Sequence, residues 1–380
     1  MPALSQPSSI DLPRARFEAL DSLRGVAALG VAWGHFYGPP IAGGTRQFAF
    51  YLLVDLFFVL SGFVLAHRYL DELLERRVTL KKFTVHRFAR LYPLHLYGLI
   101  GILLLSLVRG GMYPAEGTHG FGALMSGIEP YPDGKLFTFV MHLFLAQNIG
   151  FTSGGLSWHG PSWSISTEFF APLVLFFWIT CCRERVSDMR ASFVLPTALV
   201  ALACLLAIHN TGRTLDVHVQ NILPWLNYGL MRCFAETAIG VLVYRCWRHI
   251  DHRIAVSIAV ATIIEVLLLA AIGGLLFRRA FHSPEDILIV PLFAALVFWL
   301  ATPRGGLARL LLLRPFQWIG RMSYSIYINH FLVVIALSLV LFKPMWLYFG
   351  LVLGLSWLTF KGIEAPARRA INRRLSAVVW

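Results

Sequence analysis

The sequence predicts an all-α, polytopic membrane helix bundle, and three observations lead there. Of its 380 residues, 57% are apolar and only 14% charged, a balance that an ordinary water-soluble domain does not carry. Apolar runs of spanning length recur along the chain, separated by short loops rich in arginine. The basic residues sit at the ends of those runs, where they report topology, so the net charge of +13 predicts no nucleic-acid partner. The same composition excludes disorder.

The runs fall at about 25–42, 48–66, 91–108, 162–181, 191–209, 222–246, 254–274, 286–302, 318–342 and 344–362, which predicts about ten transmembrane helices. One further run, Leu136 to Asn148, is too short to cross and reads as a re-entrant or interfacial segment. Arg14 and Arg16 precede the first run, which continues without a convincing cleavage site and so predicts an uncleaved first span. With both termini cytoplasmic, 24 lysines and arginines lie inside and seven outside, leaving Arg232 and Arg321 within spans. Were the short run to cross, every later loop would change sides and this bias would collapse. Residues 1–16 and 371–380 are then cytoplasmic tails around a membrane domain at 17–370.

The inner loop His67 to Arg90 is strongly basic, and the long outer segment 109–161 is rich in glycine and proline and leads into Ser162 and Trp163. Cys181, Cys182, Cys204, Cys233 and Cys246 show no CxxC and read as small apolar fillers, so neither disulfides nor a metal site is predicted.

Ionisable side chains inside hydrocarbon are costly and therefore candidates for function: His35, Asp55, Glu168, Arg232, Glu236, Glu265 and His330, with His142 in the short run. Arg24 and His35, eleven residues apart, share one helix face and are separated by roughly 16 Å of depth. Gly25, Ala28 and Ala32 lie between them and would admit a ligand or another helix. The competing reading makes Arg24 a snorkelling arginine and His35 a satisfied core histidine. Asp55 lies at a similar depth on the next span and could orient His35 as a general base, or form a structural pair. Arg87 and Arg90, at i and i+3, could clamp a phosphate-rich ligand, or simply satisfy the positive-inside rule and bind anionic lipid. Ile165 stands where a capping box would need Ser or Thr, so capping does not explain Glu168. Arg232 and Glu236, at i and i+4, read as a mutually neutralising pair, Glu265 has no evident role, and His330 with Tyr324 and Tyr327 suggests a polar strip. GxSxG, HExxH, Walker A, GxGxxG and HxxxxD motifs are absent, which removes support from hydrolase, zincin and nucleotide-driven pump readings.

Several stretches together resemble the bacterial acyltransferase type 3 family of membrane O-acyltransferases. They are Leu20-Asp21-Ser22-Leu23-Arg24-Gly25 with His35, Val54-Asp55-Leu56-Phe57-Phe58-Val59-Leu60-Ser61-Gly62-Phe63, Arg87-Phe88-Ala89-Arg90-Leu91-Tyr92-Pro93, Trp163-Ser164-Ile165-Ser166-Thr167-Glu168, and Gly320-Arg321-Met322-Ser323-Tyr324-Ser325-Ile326-Tyr327. The resemblance runs from residue 17 to about 370, with the motifs in the family's order, and implies a stand-alone membrane domain.

It implies transfer of an acyl group, commonly acetyl, from cytoplasmic acyl-CoA to a hydroxyl of a carbohydrate or glycan on the far side of a bacterial cytoplasmic (inner) membrane. Acyl-CoA is then a substrate, and no resident cofactor is expected. Carried over by motif, His35 is the catalytic histidine, Arg24 its companion, Arg87 and Arg90 the arginines associated with acyl-CoA, and Glu168 an essential acid. Tyr92 joins the donor side, and Trp163, Ser164, Tyr327 and His330 the acceptor side. The expected mechanism has His35, oriented by Asp55, deprotonate the acceptor hydroxyl as it attacks the thioester, with an acyl-histidine relay as the variant. The pantetheine arm would follow the small-residue face of the first helix. The alternative function is a polysaccharide or small-molecule transporter or flippase with a buried charge pathway.

Overall fold

A computed structural model describes residues 16–37, 48–120, 125–126, 133–152, 156–182, 191–212, 215, 220–224, 226–278, 283–340 and 343–377. Its helices are α1 Glu18–Tyr37, α2 Leu53–Leu74, α3 Leu80–Met112, α4 Lys135–Leu143, α5 Trp163–Cys181, α6 Ala191–His209, α7 Tyr228–Ile250, α8 Ile258–Leu276, α9 Ile289–Leu300, α10 Gly306–Leu311, α11 Arg314–Arg321, α12 Ser323–Ser338, α13 Met345–Thr359 and α14 Ala365–Ala377. A π turn, Phe360–Glu364, joins the last two. The only described sheet pairs Asn221–Leu223 with Leu226–Asn227.

Each of the ten apolar runs holds a helix, and the bundle is that of a membrane protein. Five described helices are long and apolar enough to cross a membrane: Phe50–Leu74, Leu80–Met112, Gly160–Cys181, Ile258–Leu276 and Met345–Ile371. Boundaries shift where charged residues continue a helix out of the apolar run. The basic stretch 67–90, read as a loop, is almost wholly helical: α2 runs on to Leu74 and α3 starts at Leu80, capped by the Thr79 hydroxyl, which accepts from the Lys82 amide. With 33 residues, α3 is roughly 50 Å long, more than a bilayer core needs, so its arginine-bearing start projects beyond the apolar part.

Two pairs of glycines set the helix spacing. A Cβ on Gly62 would lie 2.1 Å from the Thr237 carbonyl oxygen and one on Gly240 2.1 Å from that of Val59, so α2 and α7 touch backbone to backbone. They run parallel, tied at their first ends by Asp55 and Arg232 and at their last by Asp71 and Arg248, 2.7 Å apart. At the second crossing Gly25 of α1 meets the backbone of Gly320. Ala28 and Ala32 are fully buried with Met322, Ile326 and Tyr348. The small-residue face of α1, expected to admit the pantetheine arm, is therefore filled by neighbouring helices.

Glu265, without evident role in the sequence, caps α10 from another helix. Its carboxylate accepts from the Leu307 amide at 2.8 Å and the Ala308 amide at 3.3 Å, where an N-terminus leaves donors unpaired. The short run forms the nine-residue α4 and a following turn with Leu145 at φ +58°. This segment is pinned by polar groups: His95 Nε2 donates to the His142 carbonyl (2.9 Å), Trp158 Nε1 to Thr138 Oγ1 (3.0 Å), and Gln147 Nε2 to the Ser162 carbonyl (2.9 Å).

Candidate active site

α3 and α5 meet where a proline has freed a carbonyl. Pro172 has no N–H to offer the carbonyl of Glu168 four residues earlier, and Arg87 Nη2 donates to it instead. The same nitrogen lies 3.5 Å from Glu168 Oε1, which also accepts from Ser61 Oγ at 3.2 Å. Arg87 is only 2% exposed, and its Nε and Nη1 have no hydrogen-bond partner among the described residues. Arg87 and Arg90 thus do not act as one exposed fork: Arg87 is turned into the bundle, and Arg90 faces open space.

That space is a cavity of about 850 Å³ lined by eight lysine and arginine side chains, Arg24, Arg68, Lys82, Arg90 and Arg368 among them, against Asp21, Glu72 and Glu364. Arg24, Arg90, Ser323 and Tyr324 also line a narrow pocket of about 40 Å³ that continues inward past Phe57, Phe58 and Glu168 to Ser164 and Tyr327. The two spaces share this four-residue neck: a wide, strongly basic vestibule narrows into a slot bounded by aromatic rings.

Beyond the slot, rings follow one another. Tyr327 Oη lies 2.8 Å from Ser164 Oγ and donates to the Pro161 carbonyl at 3.1 Å. Its ring centroid is 5.6 Å from that of His330, which is 4.9 Å from that of His35. Arg24 and His35 both face α12, one at the neck and one at the far end of the ring series. The Val31 carbonyl lies 3.0 Å from His35 Nδ1 and accepts its proton, which makes Nε2 the basic nitrogen. His159, from the loop before α5, closes this end: its Nε2 donates to the Ile328 carbonyl (3.0 Å), and its ring lies 5.3 Å from Phe331. Burial, with His95 and His35 nearby, pulls the His159 pKa down to about 4, so it enters as a neutral donor.

Asp55, expected to orient His35, is bound elsewhere. Arg232 Nε donates to its Oδ1 at 2.8 Å and Nη2 to its Oδ2 at 2.6 Å, both residues being almost completely buried. Arg232 also keeps the expected i, i+4 pair, with Glu236 Oε1 3.5 Å from its Nε, but Asp55 is the closer partner. Asp55 can hold the planar guanidinium with two parallel bonds, which a partner one turn along the same helix does not match here. Arg232 Nη1 donates to the Leu215 carbonyl at 2.5 Å, and Trp163, expected at the acceptor, lies over the guanidinium with 5.6 Å to its ring centroid. These charges close on one another and line neither the vestibule nor the slot. Tyr92, expected at the donor, lines neither space and stacks on Phe88 with centroids 4.2 Å apart.

A family model described as an acyltransferase domain, that of the acyltransferase 3 family, matches residues 17–360. The chain belongs to this family. It is an enzyme that transfers acyl groups. Among its relatives, Protein 2 in picA locus of Rhizobium radiobacter is 38% identical over 199 residues, covering 50% of this chain and 94% of that protein. Acyltransferase MdmB of Streptomyces mycarofaciens is 27% identical over 74% of this chain and 68% of its own length. O-acetyltransferase OatA of Staphylococcus aureus is 20% identical over 92% of this chain, which spans 57% of that relative. No solved structure matches the chain.

For this acyltransferase 3 member, sequence reasoning overlooked the far wall of the vestibule. Glu364 of the π turn accepts from Ser325 Oγ at 2.7 Å and from Arg368 at 3.2 Å, which brings the C-terminal helix against the neck. A π turn placed at an otherwise ordinary apolar helix end has no sequence signature, though such turns gather at functional sites. His159 was within reach, standing beside the Gly160-Pro161 step that leads into α5.

Proposed function

We propose that this O-acyltransferase moves an acyl group, acetyl in the first instance, from cytoplasmic acyl-CoA to a hydroxyl of a sugar or glycan on the outer side of a bacterial cytoplasmic (inner) membrane. The observation that carries the reading is the basic vestibule that narrows at Arg24 and Arg90 into a slot ending at Tyr327, from which ring contacts run through His330 to His35. A nucleotide with several phosphates suits the wide part, and a thin acyl-pantetheine arm suits the slot. The O-acetyltransferase name of the Staphylococcus relative supports acetyl as the first donor to test.

In this mechanism the acceptor hydroxyl gives its proton to His35 Nε2, and its oxygen attacks the thioester carbonyl. The carbon–sulfur bond breaks, and the coenzyme thiolate leaves as the thiol with the proton that His35 took from the acceptor. The Val31 carbonyl, rather than Asp55, holds the tautomer that makes Nε2 basic. Tyr327 and His330 stand between donor and acceptor, and Ser164 and His159 flank them. Both termini and residues 67–90 lie in the cytoplasm, with ten spans across membrane lipid and residues 136–148 not crossing.

Two expected results test this reading. Arg90→Lys keeps the charge that topology needs but loses the planar fork, so acetyl-CoA binding to purified protein, measured by calorimetry, should weaken about tenfold. Arg87→Lys should weaken it too and also lower thermal stability, because the Glu168 carbonyl loses its donor. Unchanged affinity in both variants would return these arginines to a purely topological role. The second result concerns sidedness. With the five native cysteines removed, Asp133→Cys should react with an impermeant thiol reagent in intact cells and Glu75→Cys should not, and labelling of Glu75→Cys would invert the assignment. Ser187, a third informative position, lies outside the described residues.

A further inference from the structure

Beside the vestibule lies a smaller pocket of about 120 Å³, lined by Arg68, His86, Arg87, Arg90 and Arg368, with Tyr69, Val64 and Leu65 as the remaining wall. Its described lining contains four guanidiniums and an imidazole and no carboxylate. Acids outside this lining reach two of these residues: Glu364 holds Arg368 at 3.2 Å, and Glu168 takes one nitrogen of Arg87. Arg87, 98% enclosed, forms part of this wall, and its Nε and Nη1, themselves closed off from solvent, have no hydrogen-bond partner among the described residues. Guanidiniums gathered around one small pocket repel one another, and an anion with several oxygens entering it relieves that repulsion and accepts from several of them at once.

We infer that this pocket is a phosphomonoester subsite, which in the donor proposed above receives the 3′-phosphate on the ribose of the coenzyme while the diphosphate lies at the Arg24 and Arg90 neck. The inference rests on that donor assignment. The neck and the subsite share Arg90, so the two phosphate groups sit on either side of one arginine. His86, also in this lining, has its Nδ1 2.9 Å from the Tyr69 hydroxyl, and in the tautomer in which Nδ1 accepts, Nε2 carries the proton and is a donor. The subsite makes the enzyme a reader of the whole coenzyme rather than of its pantetheine arm, and it predicts discrimination against donors that lack the 3′-phosphate.

Full-length protein in phosphatidylcholine nanodiscs, titrated with acetyl-CoA and with 3′-dephospho-acetyl-CoA, tests this. The wild type should bind the dephospho donor at least tenfold more weakly. Arg68→Gln and Arg368→Gln, which also thin the positive charge of the vestibule, should each weaken acetyl-CoA binding several-fold more than they weaken dephospho-donor binding, a difference that a merely structural loss would not produce. Equal affinity of the wild type for the two donors, or an equal loss for both donors in the variants, would overturn the subsite while leaving the donor reading intact. Absence of binding by either donor would overturn both. Repeating the titrations in phosphatidylglycerol nanodiscs separates the other source of the same chemistry. If the two variants change only the retention of phosphatidylglycerol, the pocket takes a lipid headgroup and the inference fails.

Discussion

His35→Ala should reduce acyl transfer by about 10²–10⁴-fold, the range expected when a positioned general base is lost, while the protein inserts and folds. His35 is half-buried near the end of α1, and its ring packs on His330 and Phe331, so alanine leaves a small gap rather than an unpaired charge. Because the arginine neck lies roughly 16 Å away along the same helix, acetyl-CoA affinity should stay within about twofold of the wild type. Loss of turnover with retained donor binding separates a base from a structural histidine. Normal turnover by the variant would remove His35 from the mechanism.

A second large effect is expected at Asp55, on stability rather than on the chemistry of His35. Asp55→Ala leaves Arg232 buried at 1% exposure with Glu236 at 3.5 Å as its nearest remaining carboxylate, and stranding a buried charge costs about 3–5 kcal/mol. The variant should accumulate poorly and melt well below the wild type in detergent, as followed by tryptophan fluorescence. Combining Asp55→Leu and Arg232→Met with Glu236→Leu removes all three buried charges and should recover much of the loss, because well-packed apolar side chains replace a buried ionic cluster at little cost. The discriminating variant is Asp55→Asn. If it melts like the wild type but shifts the pH dependence of transfer, Asp55 acts on His35 and the assignment made here is wrong.

The contrast between these two residues shows what the sequence made legible. Apolar run length located a helix at each of the ten runs, because hydrocarbon leaves a backbone few other choices. The eleven-residue spacing of Arg24 and His35 put both against α12, since helical periodicity alone fixes a shared face. Partners across helices were not legible. Asp55 and Arg232 are separated by 177 residues, and nothing local distinguishes a carboxylate that will hold a guanidinium from one that will hold an imidazole. Similar depth was a weak guide, because residues at one depth can face opposite sides of a bundle. The free face of α1 failed for the same reason: small residues admit a ligand or a helix equally well, and Gly320 occupies the space at Gly25. Glu265 and Arg87 each serve backbone groups of another segment, a use that pair patterns within one helix do not reveal.

The central claim is that an acyl group reaches an outer hydroxyl by way of the vestibule, the slot and His35. Mass spectrometry of cell-envelope glycans tests it most directly, comparing cells that lack the protein, cells that carry it and cells that carry His35→Ala at equal membrane abundance. The account predicts an acetyl increment on a glycan species only with the wild type, and identical spectra from all three would contradict it.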